Sequence, residues 1–243
     1  MQVLSLPYIE GSKEFCPGCE AKSQREADEE KERLDKQAHQ ARVKRQQIER
    51  YMSESCIGKR YMGMTFSSYK PTCQKAAQYL EICKGFAETF TPESGEMLLL
   101  VGHTGTGKSM LAAIIGQQLI QTGFSFHHTT VLKLARRFKE TWKNSNPETE
   151  SDALRYFMEP DLLVINEIGV QYGSQTEQQF LFEVIDDRYE AKKSTILISN
   201  MKAADVEGFL GDRCIDRLYE EGGMLTFDWE SYRKRPAALK VIK

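Results

Sequence analysis

The chain has 243 residues, enough for one α/β domain with a smaller appendage and a sizeable core. Its 33 Lys and Arg nearly balance 35 Asp and Glu, a net charge of −2, so no global field selects a polyanionic partner and any nucleic-acid contact must be local. No stretch approaches a membrane span, the N-terminus lacks a basic-then-apolar signal pattern, and six scattered cysteines suit a reducing compartment better than a disulfide framework. A cytoplasmic protein without membrane contact is expected.

Residues 1–19 form a short lead with Cys16-Pro17-Gly18-Cys19, whose spacing suits one half of a zinc site. No second pair follows, and His39 and Cys56 stand alone, so zinc is possible but not expected. From about Glu20 to Met52 the chain is charged and free of Gly and Pro, which predicts one long helix. Leu34, Ala38, Ala41, Ile48 and Met52 keep three-and-four spacing along it, a seam too thin to build a core. The helix is either a solvated charged element or one that waits for a protein partner. Residues 1–52 are therefore set apart as an N-terminal extension, 53–233 as the main domain and 234–243 as a basic tail.

The junction from Ser53 to Thr72 holds Ile57-Gly58-Lys59-Arg60-Tyr61 and Phe66-Ser67-Ser68-Tyr69, residues that could pack a flat base or simply the domain edge. Cys73 to Thr89 has helical spacing, and Thr91 to Gly95 is a turn. The next stretch dominates the chain. Met97 to Val101 reads as a buried strand, and Gly102-His103-Thr104-Gly105-Thr106-Gly107-Lys108-Ser109 is the G-x-x-x-x-G-K-[ST] phosphate loop, followed by a helix from Met110. Its glycines bring backbone amides close to an anion, and the helix N-terminus adds unpaired N–H groups. Lys108 supplies a point charge for the β- and γ-phosphates, and the Ser109 hydroxyl can ligate Mg²⁺. ATP with Mg²⁺ is the expected ligand.

Beyond this helix, Gly123 to Thr130 reads as a short strand carrying His127 and His128 on opposite faces, a pair expected on the polar surface. A basic helix follows over Leu132 to Lys143. Asp161 to Glu167 is an apolar strand ending in a polar pair, the second nucleotide signature. Glu167 would orient and deprotonate the attacking water. Asn166 stands where such strands usually carry Asp; it keeps one oxygen for Mg²⁺, loses a charge and gains an NH₂ group expected to point away from the metal. Gln175 to Lys192 is an amphipathic helix, and Thr195 to Asn200 a buried strand whose terminal amide can sense the γ-phosphate or the water. A helix from Ala203 to Glu221 carries Arg213 and Arg217 on one face; Gly222-Gly223 breaks it before a last strand, Met224 to Asp228. Alternating strands and helices predict a three-layer α/β sandwich with a mostly parallel, five-stranded sheet.

From about Ile57 to Arg233 the chain resembles the DnaC-like bacterial and phage helicase loaders and the related IstB-type transposition ATPases, within the AAA+ class. The carrying stretches are Met64 to Tyr69, Gly102 to Ser109, Leu162 to Gln171 (LLVINEIGVQ), Ile198-Ser199-Asn200, Gly211 to Leu218 and Phe227 to Arg233. The resemblance implies an AAA+ domain without a helical lid, self-assembly through that domain, contact with single-stranded DNA, and an N-terminal region that grips a replicative hexameric helicase. It implies that Thr104, Thr106 and Met110 join Gly102, Gly105, Gly107, Lys108, Ser109 and Asn166 around ATP, that Asn200 is the sensor beside Glu167, and that Arg217, with Arg213 beside it, acts on a neighbour's ATP. It also implies that Trp142, with Lys143 and Arg137, meets single-stranded DNA. The rivals are a transposition helper and an adaptor that binds ATP but scarcely hydrolyses it.

Overall fold

The computed structural model describes residues 17–143, 145, 147–169 and 175–234, without the side chains of 17–24, 26, 27 and 234. The Cys16 and Cys19 thiols and the tail beyond 234 lie outside the described residues. The chain divides into two units, residues 1–46 and 47–243.

Helix α1 runs Pro17–Glu54. Its residues 28–46 are all exposed, including Leu34 and Val43, and near-neighbour pairs such as Glu30–Arg33 and Glu32–Lys36, each 2.6 Å, lie along it. Such exposed pairs contribute only a few tenths of a kcal/mol each. The seam seen in the sequence thus lacks a core within residues 28–46. The last turns of α1 belong to the second unit, where Ile48, Tyr51 and Met52 pack against the core.

The second unit is an α/β fold built on a five-stranded parallel sheet with helices on both faces. Helix α2 (Gln74–Thr89) starts from Cys73, whose sulfur accepts the Ala76 N–H. Strand β1 (Met97–Gly102) leads through the glycine loop to α3 (Lys108–Thr122). Then come β2 (Phe126–Thr130), α4 (Val131–Thr141), α5 (Glu150–Met158), β3 (Leu162–Ile168), α6 (Gln175–Glu190), β4 (Ser194–Ser199), α7 (Ala203–Glu220) and β5 (Gly222–Phe227). The sheet has the order β2-β3-β4-β1-β5 and every pairing is parallel. Helices cover both faces of such a sheet, so β1 and β4 are buried along their whole length and β3 is buried until its polar pair Asn166-Glu167.

Side-chain alternation splits the core. Leu98, Leu100, Leu162, Val164, Ile196 and Ile198 point to the face covered by α2 and α3. Leu99, Val101, Leu163, Ile165 and Leu197 point to the other, covered by α4 to α7. Helix α3 lies deep, with Leu111 to Gln117 all buried. The residues after β5 form one short turn, Tyr232–Lys234, with no helical lid among the described residues.

Three local expectations are corrected. The last strand starts at Gly222 rather than Met224, directly after α7 ends at Glu220: a Cβ on Gly222 would lie 1.7 Å from the Met97 carbonyl oxygen, so only glycine lets β5 close on β1. Helix α5 is an added element, begun by a reciprocal cap between Thr149 and Asp152 and buried through Ala153 and Phe157. His127 and His128 are not surface residues. His127 is buried, with Nδ1 3.1 Å from the Glu54 carbonyl, and the His128 amide donates to the Ser55 carbonyl at 2.8 Å. Burial pushes the His128 imidazole down to about 4, so it is a neutral ring at neutral pH. Edge strand β2 therefore holds the end of α1.

Candidate nucleotide site

The carboxyl ends of β1, β3, β4 and β5 converge on one cavity of about 530 Å³, the usual place and size for a ligand in an open parallel sheet. Its floor is the loop between β1 and α3. Gly105 and Gly107 have φ of 79° and 103°, and a Cβ on Gly107 would sit 2.4 Å from the Tyr69 ring. Both positions thus need glycine for backbone angle and for close approach. Thr106 Oγ1 donates to the His103 carbonyl at 2.7 Å, and the Tyr69 hydroxyl donates to the Thr106 carbonyl at 3.2 Å.

Lys108 is 4% exposed, and Nζ donates to the carbonyls of Gly102 and His103 at 2.6 and 2.7 Å. Burial, and then the positive charge of Arg233, pull its ammonium down to about 8. A polyanion reverses both effects by supplying charge where the ammonium now has only carbonyl dipoles. Such a site asks for phosphate.

The β3 end is irregular. Its ladder with β4 shifts register between Ile165 and Ile168, and Glu167 takes a φ of 65°. The Glu167 N–H is thereby released from the sheet and donates to Asn166 Oδ1 at 2.9 Å. Because that backbone group can only donate, the amide oxygen must face it, which fixes the amide's orientation. Asn166 Nδ2 then faces Ser109 Oγ at 3.2 Å. This corrects the expectation that the NH₂ turns away from the metal position. The Ser109 hydroxyl fits Mg²⁺ as an oxygen donor; the Asn166 amide, presenting N–H, does not. Asn200 and the exposed Glu167 line the same cavity. The β4 end is tied to the loop, since Gly102 N–H donates to the Met201 carbonyl at 3.2 Å. The loop residues, Asn166, Glu167 and Asn200 are thus brought together as the sequence implied.

Residues from both ends of the domain complete the cavity, and the site assignments made from the sequence omit them. Arg60, Tyr61 and Tyr69 line it from the junction, and Trp229, Tyr232 and Arg233 from the stretch after β5. The Tyr232 N–H donates to the Gly105 carbonyl at 2.9 Å, which sets Arg233 beside Lys108. The sequence held a signal for both groups: the junction was read as able to pack a flat base or the domain edge, with Tyr69 inside a stretch of the family pattern, and Trp229, Tyr232 and Arg233 belong to the W-E-S-Y-R stretch of that pattern.

Other assigned residues stand elsewhere. Arg213 and Arg217 do not line the cavity; both reach Asp186 on α6. Arg213 is 74% exposed, whereas Arg217 is 11% exposed, also pairs with Glu190 at 3.1 Å and covers the Tyr189 ring. Just past α4, its C-cap Trp142 is 54% exposed with its indole N–H on Glu150, and Lys143 is exposed. Arg137 instead pairs with Glu148 and lies 3.7 Å over the Tyr156 ring, so it is spent within the fold. Among the described residues no group of three or more His, Cys, Asp or Glu could hold a metal, and no helix is long and apolar enough to cross a membrane.

Comparison with known proteins agrees with this arrangement. Residues 16–239 match the family described as IstB-like ATP binding protein. The replicative helicase loader DnaC of Buchnera aphidicola subsp. Schizaphis graminum is 33% identical over 85% of this chain and 84% of its own. The Escherichia coli K12 DnaC loader is 30% identical over 77% and 76%. A crystal structure of the DnaC helicase loader superposes with a TM-score of 0.63 at 24% identity, over 70% of this chain and 99% of that one. The initiator DnaA bound to AMPPCP and single-stranded DNA shares the fold at a TM-score of 0.60 and 19% identity, over 72% and 52%. With the cavity built on its phosphate loop, and with matches along most of its length, this chain belongs to the IstB-like ATP-binding family and is a relative of the DnaC replicative helicase loaders.

Proposed function

We propose that this chain is an ATP-dependent loader that places a replicative hexameric helicase on single-stranded DNA in DNA replication. The observation that carries it is similarity to DnaC loaders over about four-fifths of both chains, together with an intact phosphate loop in the cavity. In this reading the loop amides and Lys108 hold the β- and γ-phosphates. Ser109 would offer one oxygen to a Mg²⁺ ion that accompanies ATP, and the ion would supply charge screening for those phosphates. Glu167 orients the attacking water and Asn200 contacts the γ-phosphate. Arg213 and Arg217 act from a neighbouring copy, since neither lines its own cavity. Trp142 and Lys143 meet the DNA strand, residues 1–52 grip the helicase, and assembly proceeds through the AAA+ unit.

The test is loading of a replicative hexamer onto a circular single strand coated with single-strand-binding protein, read as unwinding of an annealed oligonucleotide. The chain with ATP should stimulate unwinding and Lys108→Ala should not. Absence of stimulation, with capture of a transposase and duplex DNA instead, would assign the chain to transposition.

The second reading, an adaptor that holds ATP and turns it over slowly, is favoured by one observation: Asn166 presents N–H, not oxygen, to Ser109.

A further inference from the structure

Two features of the cavity bear on which form of the nucleotide it selects. The first is the Asn166 amide. Its oxygen is held by the Glu167 N–H at 2.9 Å and its nitrogen lies 3.2 Å from Ser109 Oγ. A cation beside Ser109 therefore meets the positive end of an amide dipole, where a carboxylate would offer a full negative charge. Rotating the amide does not help, because it would set two N–H donors against each other at Glu167. The second feature is charge count. Arg60, Lys70, Lys108 and Arg233 line the cavity, and among its lining residues Glu167 is the sole carboxylate. Arg233 lies close enough to Lys108 to disfavour the lysine's charge. A site with this excess of cations is stabilised by a fully charged triphosphate and has little left to gain from the same triphosphate already neutralised in part by a divalent ion.

We infer that Asn166, turned by the Glu167 N–H to face Ser109, makes the cavity take free ATP about as readily as its magnesium complex. Asn166 is then a specificity-determining residue for the charge state of the ligand. The protein could keep its nucleotide, and the assembly state that depends on it, when Mg²⁺ is scarce. This rests on the cavity being the ATP site.

The experiment is equilibrium binding of a fluorescent ATP analogue to the full chain, in excess EDTA and in excess Mg²⁺. The wild-type dissociation constants in the two media should agree within about threefold. In Asn166→Asp, the ratio should shift toward the magnesium complex by about tenfold or more. Arg233→Ala should lose more affinity in EDTA than in Mg²⁺, because the free nucleotide leans harder on protein cations. A wild-type preference for the magnesium complex of about tenfold or more would overturn the inference without need of any variant. So would an Asp variant with an unchanged ratio, or an equal loss in both media for Arg233→Ala. Failure of the ATP-site reading looks different: the wild type would bind in neither medium, or Lys108→Ala would bind as well as the wild type.

Discussion

Lys108 shows how a buried charge can be poised for a ligand. Its ammonium has only two carbonyl oxygens for company and titrates near 8, with Arg233 opposing it. Bound phosphate favours the charged form, so the pKa must rise on binding and ATP must bring a proton whenever the free site is neutral. Below pH 8 the free site is already protonated and affinity should be flat. Above pH 8 it should fall by up to about tenfold per unit until the pKa of the bound form is reached. Fluorescent-ATP titrations between pH 7 and pH 9.5 would show this, and a flat profile would mean that Lys108 is solvated in the free protein. The two α7 arginines should also separate. Arg217 is 11% exposed between Asp186 and Glu190, so Arg217→Ala should cost about 1–3 kcal/mol in urea unfolding. Arg213 is 74% exposed, and its loss should leave stability within about 0.5 kcal/mol. It should still lower ATP turnover at concentrations where the chain assembles; unchanged turnover would remove Arg213 from any role between subunits.

At the scale of elements, α1 serves two units. Its last turns put Ile48, Tyr51 and Met52 on the core, and its final carbonyls receive His127 and the His128 amide from β2. A protein of residues 47–243 should therefore keep the thermal midpoint and ATP affinity of the full chain. Starting at Ile57 instead removes those three side chains and strands His127 without its carbonyl. Partial exposure of that much apolar surface should cost about 3 kcal/mol or more, seen as a midpoint lower by roughly 6–12 °C. Equal midpoints for the two truncations would show that the end of α1 only rests on the domain. Cutting between 46 and 47 also gives the cleaner test of helicase binding by the extension, because the α/β unit is left whole.

Across the whole molecule, the phosphate loop lies at strand ends and Trp142 at the C-terminal end of the covering helix α4, so the proposed nucleotide and DNA contacts can be separated by mutation. Trp142→Ala should lower affinity for single-stranded DNA by about 1–3 kcal/mol per stacked base while ATP binding stays unchanged. Arg137→Ala should show the reverse of a DNA contact. It should lose fold stability through Glu148 and Tyr156 and leave the salt dependence of DNA binding as it was. A shallower salt slope in Arg137→Ala would mean that the pair with Glu148 opens to a phosphate. Parallel loss of ATP binding in Trp142→Ala would mean that the helix, not a DNA contact, had been disturbed.

The sequence by itself determined the phosphate loop, the nucleotide class and the order of strands and helices apart from α5, because these depend on spacing within a few residues and on an apolar period. The long helix was legible for the same reason, as an unbroken run without Gly or Pro. What only the tertiary structure decided lies between residues far apart in the chain. Arg233 and Tyr69 reach the loop from opposite ends of the domain. Arg188 is buried in a nest of carbonyls that includes Phe157, Pro160 and Ser194, so a charge on an amphipathic helix is structural. His127, polar in the sequence, is covered by the end of α1. The direction of the Asn166 amide followed from a register shift between β3 and β4 that frees one N–H. Local periodicity carries no information about which distant carbonyl or ring will cover a side chain, and that covering decides whether a polar group is solvent-facing, structural or functional.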